Sequence, residues 1–274
     1  MAQEDLINVR RMISSKNPRL IKWIPGFILR YIERIIHQDE INTFLRDRPD
    51  SYNQKFCADV VEYLNITYEV RGMEKIPKEG KCVLAMNHPL GGMDAIILVD
   101  ALRNHRTDIK FIVNDLLLNL GRLNDIFVGI NKHGKTKGDS LKQVNELFAS
   151  DNLVCIFPAG LVSRRKKGIV QDLEWKKTFI KQSKNNNQTI IPVHIKGHLS
   201  NFFYRLANFR TFLGIKANLE MLYLADELFR QRNQHIVFTV GDPIKIEDLK
   251  HHRSDKEAAI WMQKHVMTLN SDTK

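Results

Sequence analysis

The sequence predicts an α/β protein with a mixed, largely parallel central sheet flanked by helices, and an amphipathic helical segment ahead of it. Three observations predict it. From about Thr67 onward, short β-rich runs alternate with helical patterns, the signature of successive βα units. Of the 274 residues, 43% are hydrophobic and 27% charged, a balance that fills a full core and is wrong for a disordered chain. No apolar stretch reaches the ~18 residues of a transmembrane helix; the best runs, 24–29 and 95–102, are short or interrupted. The expected organisation is a helical segment over 1–66 and an α/β domain over 67–274.

Between Arg19 and His37 the spacing puts Ile28, Tyr31, Ile32, Ile35 and Ile36 on one helical face and Arg30, Glu33 and Arg34 on the other. Trp23 and Pro25-Gly26 mark a bend before it. Such a helix either packs on the protein's own core or lies in a membrane interface, with Trp and apolar residues in the acyl boundary and Lys/Arg at the headgroups. One segment can do part of each. We therefore expect residues 1–66 to be membrane-associating.

Strands are expected at 67–70, 81–86, 109–113, 125–130, 153–157, 189–195, 219–223 and 235–240. Ser140 and Gln143, in capping-box spacing, announce a helix over 138–151 that carries Val144, Leu147 and Phe148 on one side. Ser254 and Glu257 open a C-terminal helix in the same way. The polar tract 181–188, KQSKNNNQ, reads as a surface loop.

The stretch richest in chemistry is CVLAMNHPLGGMDAIIL, 82–98, where an apolar strand ends at Asn87-His88 and Asp94 opens a helical run. Ligands bind at the carboxyl ends of strands in open α/β sheets. A histidine there can take a proton from a hydroxyl, and a carboxylate on its other ring nitrogen fixes the tautomer and stabilises the imidazolium. Gly91 and Gly92 allow close backbone approach, and the helix N-terminus offers N–H groups to an oxyanion. The alternative is a turn histidine beside a helix-capping Asp. In 153–168 a second strand breaks at Pro158 and delivers Ser163, Arg164, Arg165, Lys166 and Lys167. Those cations make either a receptor for phosphate or carboxylate, or a solvated basic loop.

In their order these residues resemble the glycerolipid acyltransferase family, the group containing lysophosphatidic acid acyltransferase. Asn87-His88 through Asp94 looks like its catalytic His/Asp motif, entered through the segment 70–77. The segment 124–130 falls where the second motif does, and Phe157-Pro158-Ala159-Gly160 resembles the third, Phe-Pro-Glu-Gly. The segment 191–195 is similar to the proline-containing fourth motif, and 240–244 to the closing strand and turn. The resemblance covers 67 to 245.

Two departures stand out. Five residues separate His88 from Asp94 where the family has four, and the Gly-Gly pair is expected to bulge around the extra one. That loop looks like the branch of hemolysin-like and bacterial aminolipid O-acyltransferases. Ala159 replaces the family's Glu, which belongs to the acceptor-binding region, so the departure bears on the acceptor and not on the His-dependent chemistry.

The resemblance implies direct acyl transfer from acyl carrier protein or acyl-CoA to the hydroxyl of a lysolipid acceptor. His88 and Asp94 would be catalytic; Asn87, Gly91, Gly92, Pro158, Gly160, Arg164 and Arg165 would bind substrate. Neither a cofactor nor a metal is implied. The default acceptor is lysophosphatidate; a lyso-aminolipid, such as a lyso-ornithine or lyso-glycine lipid, is the alternative.

The net charge of +11 fits two acidic partners, an anionic membrane surface and the carrier or CoA phosphates. A nucleic-acid-binding protein would share the charge but cluster it with exposed aromatics, whereas here it is scattered apart from 164–167, so no nucleic-acid partner is expected. A membrane-binding module without catalysis would not need His88. The opening Met1-Ala2-Gln3-Glu4-Asp5 carries acid where a signal peptide carries positive charge. The expected location is cytoplasmic, peripheral on the inner face of the cell membrane. Cys57, Cys82 and Cys155, without CxxC spacing, read as reduced packing residues. His194 and His198 are spaced i, i+4, but Pro192 argues for a strand and against chelation on a helix. The aromatic group Phe202, Phe203, Tyr204, Phe209 and Phe212 reads as core, with the lining of an acyl tunnel as the other reading.

Overall fold

The computed structural model describes residues 6–113, 121–129 and 137–269. Expectations resting on residues 1–5, on Ile130 and on the side chain of Ser140 lie outside the described residues. The strands are β1 (Thr67–Arg71), β2 (Cys82–Met86), β3 (Ile109–Val113), β4 (Phe127–Gly129), β5 (Leu153–Ile156), β6 (Arg164–Lys166), β7 (Ile169–Gln171), β8 (Thr189–Lys196) and β9 (His235–Val240). Seven of them form one sheet in the order β1-β9-β8-β2-β5-β3-β4. All its pairings are parallel except β8 with β9, so the sheet is mixed and largely parallel, as expected.

Alternation along the strands builds two cores. Cys82, Leu84 and Met86 of β2 face one side, and Val83 and Ala85 the other. The first side is covered by α4 (Gln38–Asp47), α5 (Asn53–Tyr63) and α6 (Gly92–Leu102), which follow α1 (Val9–Lys16), α2 (Leu20–Trp23) and α3 (Gly26–Ile35) in the chain. The second is covered by α7 (Lys137–Ala149), α8 (Thr178–Asn186) and, after α9 (Asn201–Phe212) and α10 (Leu224–Phe229), by α11 (Asp255–Thr268). Burial on both faces is why the central strands read as unbroken apolar runs. Phe44, Leu45, Phe56 and Cys57 share the core of β2 and β8.

Four local expectations are corrected. Residues Leu219–Tyr223 form a 3-10 turn and not a strand: Glu220 is fully buried while Leu219 and Leu222 are exposed, the inverse of an apolar strand face. The tract 181–188 is mostly the end of α8, with Gln182 and Ser183 buried and Asn187 closing the helix at φ 49°. Asparagine takes that left-handed position readily, so a polar run marked a helix end and not a loop. The basic run 164–167 is neither open loop nor turn alone: β6 and β7 pair antiparallel around Lys167-Gly168, both at positive φ, as a two-residue hairpin requires. α7 already includes Lys137, so Ser140 lies inside the helix; Ser254 does cap α11, accepting from the Glu257 amide at 3.2 Å.

In α3, Leu29 and Ile35 are buried, whereas Ile28 and Tyr31, placed on the same apolar face by the sequence, are exposed. Among the described residues, no helix is long and apolar enough to cross a membrane. Cys57, Cys82 and Cys155 are free and buried, and burial pushes each thiol's pKa up, that of Cys82 to about 11.

Candidate active site

β2 lies between β5 and β8 and parallel to both, so its carboxyl end opens onto the crevice where such sheets bind ligands. Asn87 pins that end. Its Nδ2 donates to the Ile195 carbonyl at 2.9 Å and its Oδ1 accepts the Ile195 amide at 2.7 Å, which occupies its polar atoms within the fold. The next residue, His88, carries the candidate chemistry.

His88 Nδ1 stands 2.9 Å from Asp94 Oδ2, and the same oxygen accepts the Leu90 amide at 3.0 Å. Asp94 is wholly buried in the first turn of α6. Burial raises its pKa from 3.8 to about 6, against the lowering effect of His88 and of the Leu90 amide. Its Oδ1 has no hydrogen-bond partner among the described residues. The contact through Nδ1 leaves Nε2 as the ring nitrogen able to take a hydroxyl proton.

Between His88 and Asp94 the loop turns at Gly91. Its backbone sits at φ 68°, ψ −136°, a conformation suited to glycine. A Cβ there would also meet Val162 Cγ1 at 3.3 Å and Leu224 Cδ2 at 3.5 Å. Gly92 begins α6, so the amides of Gly91 and Gly92 have no helical acceptor and can donate to an oxyanion.

The third-motif segment closes over the histidine. Phe157 stacks on the His88 ring, centroids 4.0 Å apart and planes 20° from parallel. Pro158 and Ala159 are buried, Ala159 in the core that contains Trp175. Gly160 turns at φ 71°, and a Cβ on it would lie 2.9 Å from Lys176 Nζ, which brings an ammonium group to this turn.

Asp172 joins the two loops. One of its oxygens accepts the His88 amide at 3.2 Å and the Ser163 hydroxyl at 2.5 Å; the other accepts Trp175 Nε1 at 2.9 Å. The Ser163 amide donates back to the His88 carbonyl at 2.8 Å. Burial raises the Asp172 pKa, and its hydrogen-bond donors oppose that rise. Nothing in the sequence singled out Asp172, because its partners lie 84 and 9 residues away.

Arg164 is not the open anion receptor expected from the basic run. Its Nη2 donates to Glu220 Oε1 at 2.9 Å and its Nη1 to the Val162 carbonyl at 2.6 Å. Arg210 Nε reaches the other oxygen of Glu220 at 2.8 Å. A buried carboxylate between two guanidiniums satisfies both partners and leaves Arg164 committed to the fold. Arg165 is partly exposed, over the Tyr204 ring at 4.7 Å and donating to Asn201 Oδ1 at 2.7 Å. Lys166, Lys167 and Lys176 in the same stretch of chain are exposed.

Among the described residues, no group of three or more His, Cys, Asp or Glu is placed to hold a metal ion. His194 is buried in β8, where burial pushes its pKa down to about 4, and the exposed His198 contacts the Leu199 carbonyl through Nδ1 at 3.0 Å.

The acyltransferase family model matches residues 11–273. A lyso-glycine lipid O-acyltransferase from Bacteroides thetaiotaomicron is 46% identical over 240 residues, covering 87% of this chain and 88% of that protein. Another of the same name, from Phocaeicola vulgatus, is 42% identical over 259 residues, covering 94% and 92%. The crystal structure of PlsC, the 1-acyl-sn-glycerophosphate acyltransferase of Thermotoga maritima, superposes with a TM-score of 0.50. It covers 81% of this chain and 78% of that one, at 18% identity, a likeness of fold.

Proposed function

The chain belongs to the acyltransferase family, enzymes that here act on a lysolipid acceptor, and from that premise we propose that it is a lyso-glycine lipid O-acyltransferase. The observation that carries the chemistry is the 2.9 Å contact of His88 Nδ1 with the buried Asp94 carboxylate. The acceptor assignment is supported by the names of the two relatives above 40% identity and by Ala159 at the position of the family's acceptor-region Glu. It replaces lysophosphatidate as the first choice, since the PlsC likeness is one of fold.

In the proposed reaction, His88 Nε2 takes the proton of the acceptor hydroxyl as its oxygen attacks the thioester carbonyl. Asp94 holds the ring and stabilises the imidazolium. The amides of Gly91 and Gly92 bond the oxyanion of the tetrahedral intermediate. Collapse forms the ester, breaks the C–S bond, and returns the proton from His88 to the departing thiolate. The balance is one ester and one free thiol, of acyl carrier protein or of CoA, with no acyl-enzyme. Arg165 and Lys176 receive the carboxylate of the acceptor's head group. The N-terminal segment associates with an anionic membrane, placing the enzyme peripherally on its cytoplasmic face.

The test is transfer from acyl carrier protein and from acyl-CoA to a panel of lysophospholipids and monoacylated aminolipids, with wild type beside His88→Ala. Transfer to lyso-glycine lipid that disappears in the variant is expected. Equal transfer by His88→Ala overturns the mechanism, and preference for lysophosphatidate overturns the acceptor.

A further inference from the structure

The five aromatic residues of α9 do two different things. Phe203 and Tyr204 are buried with Val162 and Leu199 under the β6–β7 hairpin. Phe202, Phe209 and Phe212 project into solvent, Phe209 at 59% and Phe212 at 85% exposure, and Leu213 and Ile215 follow them in the turn at Gly214. That corrects the reading of the whole group as core. Phe202 stands at the start of α9, whereas Phe209, Phe212, Leu213 and Ile215 gather at its exposed C-terminal end, and large apolar side chains so gathered mark an interaction surface.

A second such group lies on α2 and α3, where Trp23 is 84% and Phe27 66% exposed. The α3 group is linked to the start of α9, the helix whose other end carries Phe209 and Phe212. Tyr31 of α3 meets Tyr223 hydroxyl to hydroxyl at 2.6 Å, and the Tyr223 ring packs edge-on against Phe202 at 4.9 Å. Charge follows the same surface. The sequence has no acidic residue from Leu6 to Ile32, and none between Glu174 and Glu220. Lys22, Arg30, Arg205 and Lys216 are exposed within these stretches, while Glu220 is buried between Arg164 and Arg210. Exposed apolar tips accompanied by exposed cations in acid-free stretches of chain complement an anionic bilayer, tips in the acyl boundary and cations at the headgroups.

We infer that the end of α9 and the turn after it are a second membrane-insertion element, seating the enzyme on an anionic bilayer at two points together with α2 and α3. This deepens the membrane association proposed above and rests on it. The 3-10 turn between the two points leads directly into α10, whose Leu224 packs where a Cβ on Gly91 would lie, 3.5 Å away. A lysolipid rising from the bilayer between the two points meets the His88 loop. An acidic carrier protein is the other partner a basic face can take, but aromatic rings projecting singly into solvent fit acyl chains better than a protein surface.

The experiment is sedimentation of the full chain with phosphatidylglycerol/phosphatidylcholine vesicles, with transfer to lyso-glycine lipid measured separately in detergent micelles. The double variant Phe209→Ser/Phe212→Ser is expected to lower vesicle partitioning about 10-fold or more, with melting temperature and micellar transfer unchanged. Trp23→Ser/Phe27→Ser should do the same, and all four together should abolish binding. Phe212→Trp in a Trp23→Phe background should show indole quenching by brominated lipid. Wild-type partitioning by Phe209→Ser/Phe212→Ser overturns the inference, as does an unquenched indole. So does unchanged vesicle binding with a raised KM for acyl carrier protein, which assigns the face to the carrier. Quenching of the Phe212→Trp/Trp23→Phe protein by the vesicles, with wild type transferring nothing in micelles, fails the acyltransferase reading and leaves the insertion element standing.

Discussion

The backbone amide of His88 donates to the Asp172 carboxylate at 3.2 Å, 84 residues away in sequence, and the Ser163 hydroxyl donates to the same oxygen. Asp172 therefore sets the distance between the histidine loop and the third-motif loop. Asp172→Asn leaves one oxygen for two donors and turns an amide N–H toward Trp175 Nε1–H, donor against donor. A small shift of a general base costs on the order of 10²-fold in rate. We expect kcat to fall by about that factor with KM changed less than ~3-fold, and the pH profile to keep its shape. Ser163→Ala, which removes one donor and leaves the amide bond, should be milder. A KM effect larger than the kcat effect would assign Asp172 to substrate binding instead.

The pH response of Asp94 has opposite signs for stability and activity. Its pKa is about 6 in the fold against 3.8 ordinarily, so its contribution to stability is full below about 4 and is lost as pH rises through about 6. The ionised form is the one that orients His88. Activity should therefore rise across the window in which this group's contribution to stability falls, with an apparent pKa near 6 as Asp94 ionises. Asp94→Asn should lower kcat/KM at pH 8 by about 10²–10⁴-fold and flatten the dependence of melting temperature on pH between 4 and 6. A variant with an unchanged activity profile would remove Asp94 from the mechanism.

Gly91 turns the His/Asp loop at φ 68°. Alanine there is strained by the backbone, at about 1–3 kcal/mol, and its methyl presses on Val162 Cγ1 at 3.3 Å. Gly91→Ala should lower stability by that amount in urea unfolding and displace the amides proposed for the oxyanion, lowering kcat. Gly168→Ala, at φ 82° with nothing near its Cβ, is the control: a similar strain with activity retained.

What could be read in the sequence follows from where the information lay. β2, β3, β5 and β8 were legible because apolar strands buried on both faces make runs that no helix of that length would, and β9 because its buried residues Ile236, Phe238 and Val240 alternate with less buried ones. His88 and Asp94 are six positions apart, so local spacing and motif order single out two residues that the fold brings to 2.9 Å. Asp172, Lys176 and Glu220 were illegible because their partners sit on other elements. Arg164 was misread for the same reason: a run of cations at a strand end looks like a receptor until a distant carboxylate is found within it. The hairpin turn Lys167-Gly168 was a local signal passed over, since it stood inside that charged run.

The pairing of Arg164 with Glu220 separates two roles that the sequence had merged. Glu220 is fully buried and takes a guanidinium from each side, Arg164 at 2.9 Å and Arg210 at 2.8 Å. Removing the carboxylate leaves two cations in a site with little solvent, and breaking a buried pair in this way costs about 3–5 kcal/mol. Glu220→Ala should therefore lower the unfolding free energy by that order, while Glu220→Ala with Arg164→Met should recover part of it. Had Arg164 been the receptor of the acceptor's carboxylate, Arg164→Lys would raise KM at constant stability. The geometry predicts the reverse, a loss of stability with little change in KM for the acceptor. Arg165, over Tyr204 and partly exposed, should show the complementary behaviour: Arg165→Ala raises acceptor KM about 10-fold, as removing one charge-assisted contact does, and leaves the melting temperature within a degree or two. Steady-state kinetics and thermal unfolding on the same two variants decide between the assignments, because each arginine is expected to move one quantity and spare the other.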